Sequence, residues 1–293
     1  MQLAIRDAML DAAGFPSPLE GLRALGVEAV ELNLDDAFRV PALDSRETIT
    51  LVDDDDAVDY RHHLHNLGVK PCALLTARDL SVRGREENVE WLVRAVELAQ
   101  LVGAPVVRVD PAMKRENELD FEARTGLFID AMRAVIERTQ GGHVALAIEN
   151  HGFQGNNLTF LLNVYLGVGS PRMGSALDTG NFYWRGYPLS EVYGILRVLA
   201  PYARHTHIKN IRYPEELREK TREAGWEYKR YACSIEEGDI DHGPVVKMLH
   251  EAGYQGALCI EDESLYGLPQ GGERVRRLER DVAHVRALAA SIS

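Results

Sequence analysis

HVALAIENHG (residues 143–152), RMGSALDTGN (172–181) and ARHTHIKN (203–210) share one pattern, and GALCIEDES (256–264) repeats it. In each, a short apolar, β-prone run follows a Gly, Pro or basic turn and stops on polar groups able to hold a metal. Buried parallel strands read as near-continuous apolar runs. In α/β barrels, the carboxyl ends of such strands carry the chemistry. The four stretches therefore predict four strand ends converging on one face, with the remaining chain as the scaffold that gathers them.

Working outward, strands are expected at residues 2–9, 27–34, 69–76, 104–110, 144–148, 174–177 and 205–208, with the eighth inside GALCIEDES. Helical patterns follow them at 18–25, 55–67, 86–101, 121–139, 157–166, 189–199, 243–252 and 272–290. Strict alternation of this kind implies a doubly wound sheet or a closed barrel, and eight repeats favour closure. No GxGxxG follows a strand and no GxxxxGK[ST] occurs, so the phosphate cradles of nucleotide folds are missing. The expected fold class is α/β, a (β/α)8 TIM barrel forming one domain over residues 1–293, with a long insertion at 211–240 between the seventh strand and the helix that follows it. That connection exceeds the usual length of about two to six residues. It holds a helix-like piece at 214–224, then the aromatics Trp226, Tyr228 and Tyr231. Its two readings are a lid or contact surface on the catalytic face and an insertion without function.

Composition narrows the class. The hydrophobic fraction of 45% and charged fraction of 27% are ordinary for a soluble globular protein. A formal net charge of -12 disfavours nucleic acid or an anionic membrane as the main partner. Cys72, Cys233 and Cys259 form no CxxC pair and read as reduced thiols, which suits the cytoplasm. Residues 1–12 carry Arg6, Asp7 and Asp11 and so lack the apolar core of a signal peptide. No apolar run approaches the roughly 18 residues needed to span a bilayer. The acidic run Asp53 to Asp56 reads as a solvated helix cap, and His62, His63 and His65 as surface or packing residues.

Side chains two apart on a strand share a face. That parity turns Ala147, Glu149 and His151 toward the barrel axis, and likewise His205, His207 and Lys209. On the eighth strand it selects Cys259, Glu261 and Glu263, and in SALD it selects Asp178 above Ala176. Each strand thus delivers an ionisable group inward at its carboxyl end. Buried charges are costly unless paired or bound to metal, so four such ends point to an ion. Glu149, Asp178, His207 and Glu261 are read as its ligands. Glu149 to Asp178 and Asp178 to His207 each span 29 residues, one βα unit, and His207 to Glu261 spans 54, one unit plus the insertion. Oxygen-rich coordination with one nitrogen suits Mn²⁺, Mg²⁺ or Co²⁺ rather than a thiolate zinc site.

With these motifs in order (IENHG, LDTGN, HIKN, then IE on the last strand), the chain resembles the xylose isomerase-like TIM barrels, a family of sugar phosphate isomerases and epimerases. GDID at 238–241 and GYQG at 253–256 are similar too, and the likeness runs from about residue 20 to 265. The resemblance implies one divalent ion on Glu149, Asp178, His207 and Glu261, with Mn²⁺ preferred and Zn²⁺ also accepted. The choice of His207 over His205 rests on the HxK[DN] frame. In the ketose 3-epimerase branch the first and last glutamates are also the proton-transfer pair, which implies that role for Glu149 and Glu261. The expected function is metal-dependent isomerisation or epimerisation of a small ketose or related polyol through an enediolate.

His151 and Lys209 are expected to contact substrate hydroxyls or the enolate. Arg108, on a face with Asp110, would bind an anionic substrate group or neutralise the site acids, with the second preferred. Asn181, Arg6, Glu31 and Glu263 would line the pocket, and Tyr183, Trp184 and Trp226 would form an apolar wall or pack. Tagatose 3-epimerase-like members carry a His three residues after the Asp ligand, where Asn181 stands, and their substrate-gripping Arg has no matching position, Arg212 being nearby. The alternative is a dehydratase of a cyclic keto-polyol such as an inosose or dehydroshikimate. An accessory subunit of a hetero-oligomeric enzyme ranks behind both. So does an apurinic-site endonuclease, because VELNL, ALLTARD and GDIDHG lack the extra histidines it needs. A homo-oligomer is implied by the resemblance alone.

Overall fold

The computed structural model describes residues 1–115 and 117–292. Eight parallel strands close into a barrel: β1 Gln2–Arg6, β2 Ala29–Leu34, β3 Lys70–Thr76, β4 Val106–Val109, β5 Ala145–Glu149, β6 Met173–Asp178, β7 Ala203–Ile208 and β8 Ala257–Ile260. Each strand lies beside its neighbours in sequence, and β1 joins β8 with Ala4 opposite Cys259. The molecule is a single-domain (β/α)8 TIM barrel.

Alternation along the strands separates two environments. Ile5, Val30, Leu32, Leu74, Leu146, Ile148, Leu177, Ile208, Leu258 and Ile260 point outward and merge with the helices into one apolar mantle. Each such side chain contributes about 1.5–3 kcal/mol by leaving water. Small residues fill the barrel floor instead. Ala4, Ala29, Cys72, Ala257 and Cys259 form one inner cluster, and Ala73, Val106, Ala145, Ala147 and Ala176 form another. Above that floor the inward positions become charged. The register shifts at Val30/Glu31 and at Ser175/Ala176, bulges that re-aim the strands just below the charged layer.

The helices start and stop on sequence signals. Ser17 caps Pro18–Leu25 and Gly26, at φ 61, ends it. Asp53 and Asp56 form a capping box on Asp54–Leu67, so the acidic run is a helix cap. His62 and His65 are exposed on that helix, and His63 Nε2 lies 2.9 Å from the Ala42 carbonyl.

Two expectations fail. The first strand ends at Arg6, and Asp7–Ala13 is helical. Met9, Leu10, Ala12 and Ala13 bury one helix face, and a short apolar run fits either period. The 214–224 stretch is not a helix either: only Glu215–Leu217 makes a 3-10 turn. Arg222 decides the matter, because its guanidinium donates to the carbonyls of Tyr183 and Tyr187, both at 3.1 Å, and to Leu217 at 2.6 Å. It also stacks over the Tyr183 and Tyr213 rings. Tertiary contacts outweigh the helix propensity of this charged stretch.

The segment after β7 pairs Asn210–Ile211 antiparallel with Ala232–Cys233, then reaches the helix His242–Glu251. Asn210 ties its two ends. Its Nδ2 donates to the carbonyls of Ile235 and Ile240, and its Oδ1 accepts from Ile240 N. Gly238 is required beneath it, since a Cβ there would lie 2.0 Å from Asn210 Cγ. HIKN and GDID are thus two halves of one contact. A further antiparallel pair, Arg39–Pro41 with Thr48–Thr50, sits in the acidic loop after β2. Among the described residues no helix is long and apolar enough to cross a membrane, and the three cysteines are free.

Candidate metal centre

The charged layer lies at the carboxyl end of the barrel. Each of Glu149, Asp178, His207 and Glu261 offers a ligand atom, and these atoms all lie within 4.8 Å of one another. Exposure is 3% or less for all four residues. Glu149 closes β5, Asp178 closes β6, His207 is the penultimate residue of β7, and Glu261 follows β8. His207 Nδ1 is 3.5 Å from Glu149 Oε2 and 3.4 Å from Glu261 Oε2. Metal–ligand bonds of about 2.0–2.2 Å place neighbouring donors at this kind of separation.

Two atoms of this set are left over in the protein's own hydrogen bonding. Asp178 Oδ2 and His207 Nδ1 are buried without a well-formed hydrogen bond, although the Lys209 ammonium stands 3.1 Å from the first. The partner atoms on the same groups are spent: Asp178 Oδ1 accepts from Gly180 N at 2.8 Å and Asn181 N at 2.7 Å. His207 Nε2 lies 2.8 Å from Glu31 Oε2. Buried orphans of this kind call for an absent partner, and an oxygen and an imidazole nitrogen facing two carboxylates suit a divalent cation. The residues fit a metal ion.

Cations hold the carboxylates in place. Arg108 pairs with Glu149 and, at 2.9 Å, with Asp110. Arg6 pairs with Glu261. Lys209 Nζ lies 3.1 Å from Asp178 Oδ2, 3.3 Å from Glu261 Oε2 and 3.4 Å from Glu263 Oε2. Burial alone would raise the Glu149 carboxyl, but Arg108 and then His207 hold it well below the usual range. Against the same burial, Lys209, His207 and Arg6 bring Glu261 down to about 2. Asp178 moves the other way, to about 7. Burial dominates there, Lys209 opposes it, and the charges of Glu149 and Glu261 add to it. The His207 imidazole, despite burial, is pushed well above its ordinary value by Glu31, Glu261 and Glu149.

The other expected site residues fall in different places. Asn181 Nδ2 donates to Glu149 Oε1 at 3.1 Å. Arg108 is paired with both Glu149 and Asp110. His151 is at the rim, its side chain 42% exposed and its Nδ1 3.0 Å from Asp110 Oδ1, outside the ligand cluster. Tyr183 is fully buried and donates to Asp239, and Trp226 stacks on Tyr231, so both pack. Trp184 meets Phe153 edge-on, and Arg212 is exposed. Gly180 leaves room for Lys209, since a Cβ there would stand 2.8 Å from Lys209 Cγ.

Three contributors carry little sequence signal. Glu31 sits in VELNL, named only as a pocket residue. It is fully buried and reaches both His207 and His205, the latter at 2.9 Å. Glu31, His205, His207 and Cys259 form a second close group, tied together by the Glu31 carboxylate at 2.9 Å from His205 Nε2 and 2.8 Å from His207 Nε2. Asn150 braces the peptide of Asp178, donating to its carbonyl at 2.9 Å and accepting from its N–H at 2.8 Å. Tyr228 donates to Glu263 Oε2 at 2.5 Å. The signals were a lone acid inside an apolar strand for Glu31 and a polar residue directly after a ligand for Asn150.

Comparison with known proteins gives the family. An inosose dehydratase from Yersinia enterocolitica (serotype O:8 / biotype 1B) is 28% identical over 133 residues, so the match spans 44% of this chain and 44% of that relative. The crystal structure of the IOLI protein with a bound zinc atom superposes with a TM-score of 0.71 at 16% identity, covering 97% of this chain and 98% of that one. D-psicose 3-epimerase from Clostridium cellulolyticum H10 gives 0.70 at 13% identity, covering 98% and 99%. At these identities the two structures share the fold. Residues 19–288 match the family profile described as xylose isomerase-like TIM barrel. The chain belongs to the xylose isomerase-like TIM barrel family.

Proposed function

We propose that the protein is a divalent-metal-dependent isomerase or epimerase of a small ketose or related polyol, with Glu149 and Glu261 as its proton-transfer pair. One observation carries this reading. The two carboxylates approach the same nitrogen, His207 Nδ1, from β5 and β8, with β6 and β7 between them. Glu149, Asp178, His207 and Glu261 would hold the ion (Mn²⁺ first, with Mg²⁺, Co²⁺ or Zn²⁺ as alternatives), which would supply Lewis-acid polarisation of a substrate carbonyl. One glutamate then takes the proton from the hydroxyl-bearing carbon next to the carbonyl, and the other, entering the step protonated, returns a proton to the enediolate. Arg108 and Arg6 orient the two carboxylates. Lys209, Asn181 and, from the rim, His151 bind substrate oxygens. Such a substrate is a cytoplasmic small molecule, and the chain acts on it alone or as a homo-oligomer.

A second reading is dehydration of a cyclic keto-polyol such as an inosose or dehydroshikimate. It is supported by the partial likeness to an inosose dehydratase and by Asn181 at the place where epimerases of the family carry a His. There the same proton abstraction is followed by loss, as water, of the hydroxyl on the next carbon along, with Lys209 donating to the departing oxygen.

Incubation of the Mn²⁺-loaded protein with ketoses and cyclic polyol ketones in D₂O, followed by NMR, separates the two. Epimerisation places deuterium beside the carbonyl and interconverts ketoses, whereas dehydration produces a vinylic proton. Glu149→Gln and Glu261→Gln should each abolish turnover with the fold intact. Activity surviving in either variant removes the proton-pair assignment, and no exchange or water loss across the panel removes both readings.

A further inference from the structure

Lys209 stands between two kinds of carboxylate. Asp178 and Glu261, at 3.1 and 3.3 Å from Nζ, belong to the group that fits a cation. Glu263, at 3.4 Å, does not. The Lys209 ammonium therefore occupies part of the electrostatic well that a divalent ion would fill, and two cations cannot share it without repulsion. Its stem is confined by Gly180, whose Cα side admits no extra carbon beside Lys209 Cγ. Glu263 is the carboxylate left to it.

Glu263 is itself held from outside the barrel. Tyr228, in the long segment after β7, donates its hydroxyl to Glu263 Oε2 at 2.5 Å. Tyr228 opens the short helix Tyr228–Tyr231. That helix is seated by the stack of Tyr231 on Trp226 and by the pairing of Ile211 with Ala232. A loop residue thereby fixes the acceptor that competes with Asp178 and Glu261 for the same ammonium.

We propose that Tyr228 and Glu263 are positioning residues for Lys209. They receive its ammonium when a divalent ion takes Asp178 and Glu261, so the 211–240 segment sets the strength of metal binding. This rests on reading Glu149, Asp178, His207 and Glu261 as ligands.

The test is calorimetric titration of the full chain with MnCl₂ alone, after chelator treatment, at fixed pH and salt. Lys209→Met should bind Mn²⁺ at least about tenfold more tightly than the parent, because a resident positive charge is gone. Tyr228→Phe changes no charge and should bind roughly three- to tenfold more weakly, since Glu263 loses its anchor. In the double variant the Tyr228→Phe effect should fall below about twofold, because nothing is left to position. A purely structural role for Tyr228 would lower stability without this dependence on Lys209. Equal Tyr228→Phe effects in both backgrounds, or none in either, overturn the proposal while leaving the ligand set intact. Failure of both the parent and Lys209→Met to take up Mn²⁺ overturns the ligand set and this proposal together. Should Tyr228→Phe fail to fold by circular dichroism, Glu263→Gln completes the same cycle. Its weakening should then shrink markedly in the Lys209→Met background, and an undiminished effect counts against the proposal.

Discussion

Glu31 Oε2 lies 2.8 Å from His207 Nε2, across the barrel from β2 to β7, and this contact leaves Nδ1 of the same ring facing Glu149 and Glu261. The carboxylate therefore determines which nitrogen is available to an ion. Burial opposes the charge on Glu31, but His207 and His205 hold its carboxyl well below the ordinary range. An acid behind a ligating imidazole raises its basicity and fixes its ring. Glu31→Gln should weaken Mn²⁺ binding by about 10–100-fold, with Glu31→Ala at least as severe. Calorimetric titration measures this directly, and an unchanged affinity would detach Glu31 from the centre.

On the proposed ligand set, protons and metal would compete for the same atoms. Burial, with Glu149 and Glu261 nearby, raises Asp178 to about 7 in the metal-free protein, and His207 is raised well above its usual value. A ligand must be unprotonated to bind, so apparent affinity rises with pH. Mn²⁺ titrations in buffers of different ionisation heat should show about one to two protons released per ion at neutral pH. Release of none would contradict the titration behaviour of this cluster.

His242 opens the helix after the long segment, fully buried with Nε2 3.1 Å from Thr179 Oγ1. Burial, aided by His284, lowers its imidazole to about 4. An unfolded chain binds a proton near 6.5, so between those values the unfolded state holds more protons and stability declines as pH falls. The loss is on the order of 3 kcal/mol between about pH 6.5 and 4. Urea unfolding of the metal-free protein at pH 7 and 4.5 should show a smaller acid loss for His242→Gln than for the parent. Parallel losses would show that His242 does not carry the acid sensitivity.

Asp281, on the closing helix Gly272–Ala290, accepts from Ser234 Oγ at 2.6 Å and Ile235 N at 2.8 Å. Burial pushes its carboxyl well up, with Asp262 adding, and Asp262 is raised by burial too. A carboxyl raised on folding stabilises at low pH and loses that contribution as pH climbs through the folded value. Asp281→Asn keeps the acceptor, removes the ionisation and can donate to Asp262. It should raise Tm by roughly 2–4 °C at pH 8.5 and give no gain at pH 4.5. Calorimetric melting at the two pH values checks this, and a gain of equal size at both would point to packing instead.

Strand parity was readable because its period is two and the inward set changes type abruptly, from Ala147 to Glu149 and from Ala176 to Asp178. No loop conformation had to be known for that. The end of β1 was not readable: IRDAML satisfies both periods, and only the buried helix face of Asp7–Ala13 decides between them. Tyr228 lies in irregular chain with no repeating pattern, so its approach to Glu263 is a product of tertiary closure. The 214–224 stretch shows the reverse. Its composition favours a helix, yet Arg222 finds better partners in Tyr183, Tyr187 and Leu217.

Asn210 grips the 211–240 segment at both of its feet. A loop so fastened adds little closure entropy when it lengthens, because its ends already meet. Insertions and deletions between those feet can therefore accumulate without tugging on β7 or the helix that follows. The same fold can exchange this cassette for another, and with it the neighbour offered to Glu263, while the charged layer inside the barrel stays as it is.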